Sequence, residues 1–492
     1  MRDIVGPRTQ VVDLGAATLT PGLTDGHTHP VHGIGMTFGT DLTGVSSIPE
    51  LMTALQTAPV QDGWLLAWGL DINAFAGAPV TNVPLTEVLG PNIPAYIAMS
   101  DAHSALANPA ALQRADVTGP RTFDGHASIV CDESGMPTGH LVEFEAMALV
   151  QNVLPAESTQ SRQHRLRTLL QSMAEVGITA GNVMDFGADS GALMAALESD
   201  GDLPIRLRFA PWCVPGDDTE QLDYIVELQR QGGRRWQVDG VKFFIDGTIE
   251  GGTAWLEAPD CYGESTTPNW PDIDEYRAAT HYLAAHGVPV VTHAIGDAAV
   301  RFAVQTLASA ARVRARHRIE HIETIPDDLV AAFARTGIVA SMQPSYCTRF
   351  SKADHSDAWS TRVGPQRASR AFRTRDIRDS GAILALGSDW PVAPFDPRAI
   401  LADSQLRRRS GHPEDTPICP KQSLTARMAL EGYTSHAAIA QGDADRAGAI
   451  APGFRADFTA FTVDPLAAPP DELAEAPIAA TVVAGTFTHR TA

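Results

Sequence analysis

From Ser158 onwards the chain repeats one pattern, a short apolar run that is mostly followed by a stretch with helical spacing. Apolar runs of this length are typical of buried strands, and they occupy residues 177–185, 205–213, 238–246, 288–293, 316–322, 337–344 and 382–389. The run that leads into His27 would add an eighth strand. Strands that alternate with helices pair in parallel through right-handed crossovers, and eight such units close into a barrel. The pattern therefore predicts an α/β fold, a (β/α)8 TIM barrel.

The stretches between the runs carry apolar residues on one helical face. The clearest examples are Leu166, Leu169, Leu170 and Met173 in one stretch, and Val300, Val304, Leu307 and Ala311 in another. An open doubly wound sheet is the alternative. It is less favoured because no glycine-rich phosphate loop follows an early strand and because polar residues recur at the strand tips.

The alternation of strand-like and helix-like stretches is present in some regions and absent from others, and this difference predicts three parts of the chain. The barrel is assigned to residues 23–30 and 156–441. Residues 31–155 are rich in Pro and Gly and predict an inserted subdomain that covers the active site. Residues 1–22 and 442–492 have the pattern of short strands, which predicts a small composite β-sandwich built from both ends of the chain.

Composition and charge exclude several classes of partner. A formal charge of −21 argues against nucleic acid or an anionic membrane as the main partner. No apolar run approaches the roughly 20 residues that cross a bilayer, and residues 1–10 lack the layout of a signal peptide. Five cysteines without C-x-x-C spacing fit a reducing compartment and offer no thiolate zinc site. We expect a cytoplasmic protein that acts on a small molecule.

Polar residues at the predicted strand tips favour a metal site. His27 and His29 are one residue apart, so on an extended backbone their side chains point to the same face. His293, His321 and Asp389 follow later strands. Four imidazoles and a carboxylate at one rim of a barrel suit a borderline divalent ion such as Zn²⁺. Individually, each has an ordinary alternative: a hydrogen-bonded core histidine, or a helix N-cap for Asp389.

Lys242 lies inside the predicted fourth strand, in VKFFI. Burial and nearby positive charge lower the pKa of a lysine, and the neutral amine can then take up CO₂ and become a carbamate. Such an anion could bridge two metal ions. The alternatives are a side chain that extends to solvent or an ion pair with Asp246.

Several motifs closely resemble the amidohydrolase superfamily, namely HTHP, VKFFIDGT, THAIGD, RIEHIE, ALGSDWPVAPFDP and the tail PGFRADFTAFTVDPLAAPP. The chain is most similar to the YtcJ-like branch, which includes N-substituted formamide deformylases. SDAHSALANPAAL and MPTGHLVE in the insertion resemble motifs of that branch.

The resemblance implies a hydrolase of carbon–nitrogen bonds other than peptide bonds, which cleaves an amide or N-substituted formamide through a metal-bound hydroxide. It implies two divalent ions, expected to be Zn²⁺, and a homodimer. Asp389 would move the catalytic proton. The implied ligands are His27, His29 and Asp389 for one ion, His293 and His321 for the other, and carboxylated Lys242 as the bridge.

Four side chains are expected to contact the substrate: His103, Trp68, Tyr346 and Trp390. The chain also departs from the branch at three places. The segment before His27 is short, Tyr346 stands where the branch often has His, and the second strand ends in GNVMDF instead of His-Asp.

The same residues are also compatible with other functions. A mononuclear deaminase would leave Lys242 without a ligand role, so two ions per chain favour the amidase and one favours the deaminase. A lactonase or other esterase is a further alternative. A non-catalytic binding protein is disfavoured because the predicted ligand set is intact.

Overall fold

The computed structural model describes residues 6–7, 9–123 and 125–491, and its centre consists of two parallel sheets. The first has the strand order Trp236–Val238, Arg206–Phe209, Ile178–Val183, Leu23–Thr28. The second has the order Val241–Phe244, Val290–Ala294, Arg318–His321, Val339–Met342, Leu384–Leu386. Each predicted apolar run overlaps one of these strands, so the predicted alternation of strand and helix is confirmed, and Trp236–Val238 is an additional short strand before the run 238–246.

Hydrogen bonds join the two sheets on both sides. On one side, the backbone N–H of Lys242 donates to the carbonyl of Pro211 at 2.8 Å. On the other side, the backbone N–H of Asp389 donates to the carbonyl of His27 at 2.7 Å. The carboxyl ends of the first and last predicted strands therefore lie side by side.

Helices follow most of these strands, and within the described residues none is both long and apolar enough to span a membrane. From residue 159 to residue 440 the helices are Thr159–Glu175, Ser190–Ser199, Thr219–Leu228, Ile273–Ala285, Asp297–Ser309, Asp327–Thr336, Pro344–Phe350, Ala358–Val363, Pro365–Ala368, Thr374–Asp379, Pro397–Leu406, Ala426–Tyr433 and Ser435–Ala440, with a 3₁₀ turn at Pro420–Gln422.

The predicted helical faces are largely present. In the helix Asp297–Ser309, Val300, Val304 and Leu307 are buried against the strands. Ala311 was expected to continue this face, but the helix ends at Ser309 and Ala311 is exposed. The backbone turns to an extended conformation at Ala310, which ends the helical register before Ala311.

The insertion, whose fold the sequence did not indicate, contains a mixed sheet. Its strands are paired in the order Thr40–Asp41, Trp64–Leu70, Ala95–Met99, Ser104–Ala107, Pro137–Val142, Ser128–Cys131, with Val60–Gln61 beside Trp64–Leu70. The helices are Pro30–Met36, Ile48–Thr57, Val83–Leu89, Pro109–Arg114 and Phe144–Gln151, with a 3₁₀ turn at Ile72–Phe75. The insertion thus has its own sheet and two apolar clusters.

The two ends of the chain meet in one antiparallel sheet, with the order Thr18–Pro21, Phe458–Phe461, Ile478–Val483, Thr486–Arg490 and a helix at Pro470–Glu475. This sheet packs on the end of the helix Thr159–Glu175, where Thr481 Oγ1 donates to the Ala174 carbonyl at 2.7 Å. Among the described residues, the terminal segments form this single sheet and no second layer of their own. Residues 1–5, 8 and 492, which belong to the predicted sandwich, lie outside the described residues.

Candidate metal centre

His27 and His29 lie at the carboxyl end of the strand Leu23–Thr28, and their rings face Asp389. The Nε2 atoms of His27 and His29 are 3.5 and 3.2 Å from Asp389 Oδ1. Across the described part of the chain, these three side chains form the only group of at least three His, Cys, Asp or Glu whose donor atoms lie within 4.8 Å of one another. The predicted His-x-His pair and the carboxylate from the last strand are therefore brought together.

The other nitrogen of three histidine rings is held by a polar side chain. His27 Nδ1 lies 2.5 Å from Glu320, His29 Nδ1 lies 3.0 Å from Asp185, and His321 Nδ1 lies 2.9 Å from the amide oxygen of Gln343. Such partners fix the orientation of a metal-binding imidazole and raise its basicity. Sequence reasoning missed all three partners, although Asp185 belongs to GNVMDF and Glu320 to RIEHIE.

His293 and His321 complete a row of imidazoles along the carboxyl ends of the strands. The ring centroids of His293 and His321 are 4.5 Å apart, and those of His321 and His27 are 4.9 Å apart. His293 Nε2 lies 3.2 Å from the carbonyl of Gly247, so Nδ1 is the ring nitrogen left for any other interaction. The structure thus places both residues beside the His27 and His29 pair.

Lys242 lies within the strand Val241–Phe244 and is completely buried. Its Nζ is 3.4 Å from Nε2 of His27 and 4.9 Å from the ring centroid of Phe244. Burial lowers the pKa of Lys242 to about 8, which increases the neutral amine fraction at ordinary pH. The ion pair with Asp246 is not formed, because Asp246 accepts hydrogen bonds from the backbone of Trp255, Ile295 and Gly296.

The donor set fits a divalent ion. Burial lowers the pKa of His27 to about 4 and holds the pKa values of His293 and His321 well below the ordinary value. Burial also opposes charge on His29, but the hydrogen bond to Asp185 and the nearby carboxylate of Asp389 raise its pKa to about 9. Asp389 Oδ1 is buried and accepts no well-aligned hydrogen bond from the described residues. The neutral imidazoles of His27, His293 and His321 and the unsatisfied carboxylate oxygen of Asp389 suit a cation, which on binding would displace the proton of His29.

Tyr346 connects the centre to its surroundings. Its hydroxyl donates to Asp389 Oδ2, and its ring is stacked on His321 with an interplanar angle of 7°. Tyr346 lies in the helix Pro344–Phe350, which follows the strand Val339–Met342. It therefore orients Asp389 as well as lining the cavity.

The insertion contributes His103 to the same cavity. Its Nδ1 lies 2.8 Å from Glu143 Oε2, and its ring centroid is 5.4 Å from that of His293. Aromatic side chains surround this part of the cavity: Phe144, Trp212 and Phe244. Trp68 and Trp390 line a neighbouring cleft instead and not the cavity of the histidines. Trp390 packs against Phe395.

Comparison with known proteins agrees with these observations. The chain belongs to the amidohydrolase family, because the model of the family Amidohydro_3 matches residues 10–489. This confirms the family predicted from the motifs.

Two relatives and one solved structure illustrate the similarity. YtcJ of Bacillus subtilis (strain 168), which carries an amidohydrolase name, is 26% identical over 98% of this chain and 91% of its own length. The N-substituted formamide deformylase of Arthrobacter pascens is 24% identical over 99% and 91%. A crystal structure of an uncharacterized metal-dependent hydrolase from Pyrococcus horikoshii OT3 has a TM-score of 0.71 at 23% identity and covers 94% of this chain and 89% of its own.

Proposed function

We propose that the protein is a metal-dependent hydrolase that cleaves the C–N bond of an amide or an N-substituted formamide. The observation that carries the proposal is the convergence of His27, His29 and Asp389 on one point beside a completely buried lysine. The names of YtcJ and of the formamide deformylase support this reaction class. We further propose that the parallel strands close into a barrel, which the hydrogen bonds on both sides of the two sheets support.

The proposed ligands divide into two groups. His27, His29 and Asp389 would hold one ion, and His293 and His321 the other. Lys242, as a carbamate, would reach both groups, because its Nζ lies next to His27 and its strand pairs with the strand of His293. When bound, divalent ions such as Zn²⁺ lower the pKa of a coordinated water and polarise the scissile carbonyl.

Asp389 is assigned the proton transfer. Burial opposes charge on Asp389, but its interactions with the rings of His27 and His29 outweigh this effect and hold the pKa of Asp389 well below its usual range. The side chain is therefore a carboxylate that can accept a proton from the attacking water. Tyr346 holds Oδ2, which leaves Oδ1 to face the reacting atoms. The same carboxyl group can then protonate the departing nitrogen, as an amine leaving group requires.

A mononuclear deaminase is the second candidate. It is favoured by the observation that, in the described part of the chain, the geometric criterion for three donors is met by His27, His29 and Asp389 alone. His293 and His321 provide only two donor atoms, and a third donor would be present only if Lys242 were carboxylated. The two functions therefore differ in the number of ions bound.

One experiment tests the proposed function. The purified protein is analysed for bound metals, loaded with Zn²⁺, and assayed against matched N-substituted formamides, acyl amides, aminopurines and lactones. Hydrolysis of formamides or amides with about two ions per chain is the expected result. Release of ammonia from an aromatic amine with about one ion would instead establish the deaminase, and turnover of lactones alone would establish an esterase.

Replacement of Lys242 by Met is expected to reduce the bound metal from about two ions to about one per chain. Met has a similar length and is apolar, so it fills the buried site but offers no carbamate. The measurement is elemental analysis combined with ¹³C NMR after incubation with ¹³C-bicarbonate, in which the wild type should show a carbamate resonance and Lys242→Met should not. The exposed Lys352→Met variant is the control and should match the wild type in both. Equal metal content in Lys242→Met and wild type would exclude the bridging role.

A further inference from the structure

The insertion presents one histidine to the cavity of the metal centre, and the partner of this histidine lies on the neighbouring strand. His103 directly precedes the strand Ser104–Ala107, and Glu143 directly follows the strand Pro137–Val142. These two strands pair antiparallel, and the backbone N–H of Glu143 donates to the carbonyl of His103 at 2.7 Å. The backbone therefore holds the two residues together, in addition to the contact between their side chains.

Both oxygens of the Glu143 carboxylate accept a hydrogen bond. Thr253 Oγ1 accepts from the backbone N–H of Thr248 at 2.9 Å and donates to Glu143 Oε1 at 2.8 Å. Glu143 Oε2 lies 2.8 Å from His103 Nδ1. Since a carboxylate only accepts hydrogen bonds, Nδ1 carries a proton that points to Glu143. Thr248 and Thr253 follow the strand Val241–Phe244, so the pair of His103 and Glu143 is fixed to the barrel as well.

The backbone of Glu143 is strained. Its φ of 66° and ψ of 166° lie in a region that residues other than glycine rarely adopt and that occurs mainly at functional sites. The opposite loop provides the space for this side chain, because a Cβ at Gly247 would overlap with Glu143 Oε1. The carbonyl of the same Gly247 lies 3.2 Å from His293 Nε2. The fold therefore accepts strain in order to place this carboxylate between His103 and the metal centre.

The other ring nitrogen of His103 has no partner in the fold. His103 is only 7% exposed and lines the cavity together with His293, whose ring centroid is 5.4 Å away. Its Nε2 forms no hydrogen bond with any described residue. His317, which is also buried, uses both ring nitrogens: Nδ1 accepts from the backbone N–H of Val290, and Nε2 lies 2.8 Å from the Ala311 carbonyl. An unpaired polar atom in a buried side chain is costly, and a ligand in the cavity would remove that cost.

Packing alone is the alternative role for this ring. Its centroid lies 5.0 Å from that of Phe144 and 6.2 Å from that of Phe244, so His103 belongs to an aromatic cluster. A phenylalanine would pack in the same place and would need no carboxylate beside it. The contact with Glu143 and the unpaired Nε2 therefore indicate a polar role for the ring.

We propose that His103 is a further catalytic residue, whose Nε2 forms a hydrogen bond with the reacting amide of the substrate, and that Glu143 is the positioning residue that holds the ring in place. The insertion then supplies one side of the substrate site, and the barrel strands supply the other. This inference rests on the proposed function for the identity of the reacting group, but not for the contact itself, because a substrate of another class at the same centre would meet the same nitrogen.

Two variants of His103 distinguish hydrogen bonding from packing. His103→Phe keeps an aromatic ring without a polar atom, and His103→Gln keeps polar atoms without a ring. With N-pentylformamide and the Zn²⁺-loaded protein, we expect His103→Phe to lower kcat/KM about 10- to 100-fold, the effect of one hydrogen bond at a buried reacting group. His103→Gln should retain at least about threefold more activity than His103→Phe. A packing role predicts the reverse order, which would overturn the proposal.

The positioning role is tested by Glu143→Gln, which is expected to lower kcat/KM about 10-fold. Glu414→Gln is the matched control, because Glu414 forms an exposed pair with His412 at 3.1 Å outside the cavity, and it should match the wild type. If Glu143→Gln also matched the wild type, Glu143 would not position the ring.

Metal analysis and thermal unfolding accompany each assay. Metal content should equal that of the wild type, because His103 is not among the proposed ligands. Loss of metal in both His103 variants would show that the ring supports His293 and does not contact the substrate. If His103→Phe does not fold because Glu143 has lost its partner, the double variant His103→Phe/Glu143→Gln takes its place in the comparison.

Failure of this inference and failure of the proposed function give different results. If formamides are hydrolysed equally well by the wild type and both His103 variants, the contact is wrong and the reaction class stands. If an aminopurine or a lactone is turned over instead, and His103→Gln again exceeds His103→Phe, the contact stands and the reaction class is wrong. If no compound is turned over, calorimetric titration with N-pentylformamide decides: binding at least 10-fold tighter to the wild type than to His103→Phe supports the contact, and equal or absent binding overturns it.

Discussion

Replacement of Asp389 by Asn is expected to lower kcat by about 10² to 10⁴-fold, the usual contribution of a positioned general base. Asn keeps the shape and an oxygen ligand but cannot take up the proton of the attacking water. His27 and His29 remain, so the variant should still bind metal. The measurement is kcat for a formamide or amide substrate, together with the metal content of the same preparation.

Tyr346→Phe is the matched comparison for this variant. It removes the hydroxyl that donates to Asp389 Oδ2 but leaves the carboxylate in place, and we expect a loss of about 10-fold or less. A kcat of Asp389→Asn within threefold of the wild type, at equal metal content, would exclude Asp389 from proton transfer. Loss of metal in Asp389→Asn would show that its main role is as a ligand.

Replacement of Glu320 by Gln is expected to destabilise the protein by about 3 to 5 kcal/mol, since a buried charge loses its partner. Glu320 and Arg318 are both buried, with Arg318 Nε donating to Oε1 at 2.6 Å, while Oε2 lies 2.5 Å from His27 Nδ1. The variant leaves the guanidinium without a counter-charge. It also weakens the support of His27, so metal affinity should fall about 10- to 100-fold.

Denaturant unfolding of the metal-free protein measures the first effect, and a competitive metal titration measures the second. The control is Glu431→Gln. Glu431 pairs with Arg378 at a partly exposed position, where loss of the pair should cost no more than about 1 kcal/mol. If the two variants were equally stable, the buried network around His27 would not contribute in the way that its geometry indicates.

Sequence periodicity was sufficient to predict the positions of the central strands, and the reason is physical. Parallel strands covered on both faces are apolar throughout, so a polar residue at the end of such a run is conspicuous. His293 and His321 were found in this way, and the structure places them next to His27 and His29. The same reasoning located Asp389 at the end of its strand.

Local sequence patterns were less informative about features that are determined by long-range packing. The insertion forms its own mixed sheet from short strands whose partners are set by distant residues. Trp68 and Trp390 were expected at the substrate but line a neighbouring cleft, because the local sequence around a large aromatic residue does not indicate which cavity its side chain will line. The extent of the helix Asp297–Ser309 was misjudged for a related reason, since Ala311 suits a helix but lies past its end.

By itself, then, the amino-acid sequence determined the family, the alternation of strands and helices, and the polar side chains at the strand ends for which we propose a metal-binding role. These follow from periodicity and residue chemistry, which are local properties. Only the tertiary structure decided which groups orient the imidazoles, such as Glu320, which is 293 residues from His27. Such contacts depend on how distant segments pack, and no local pattern of residues encodes them.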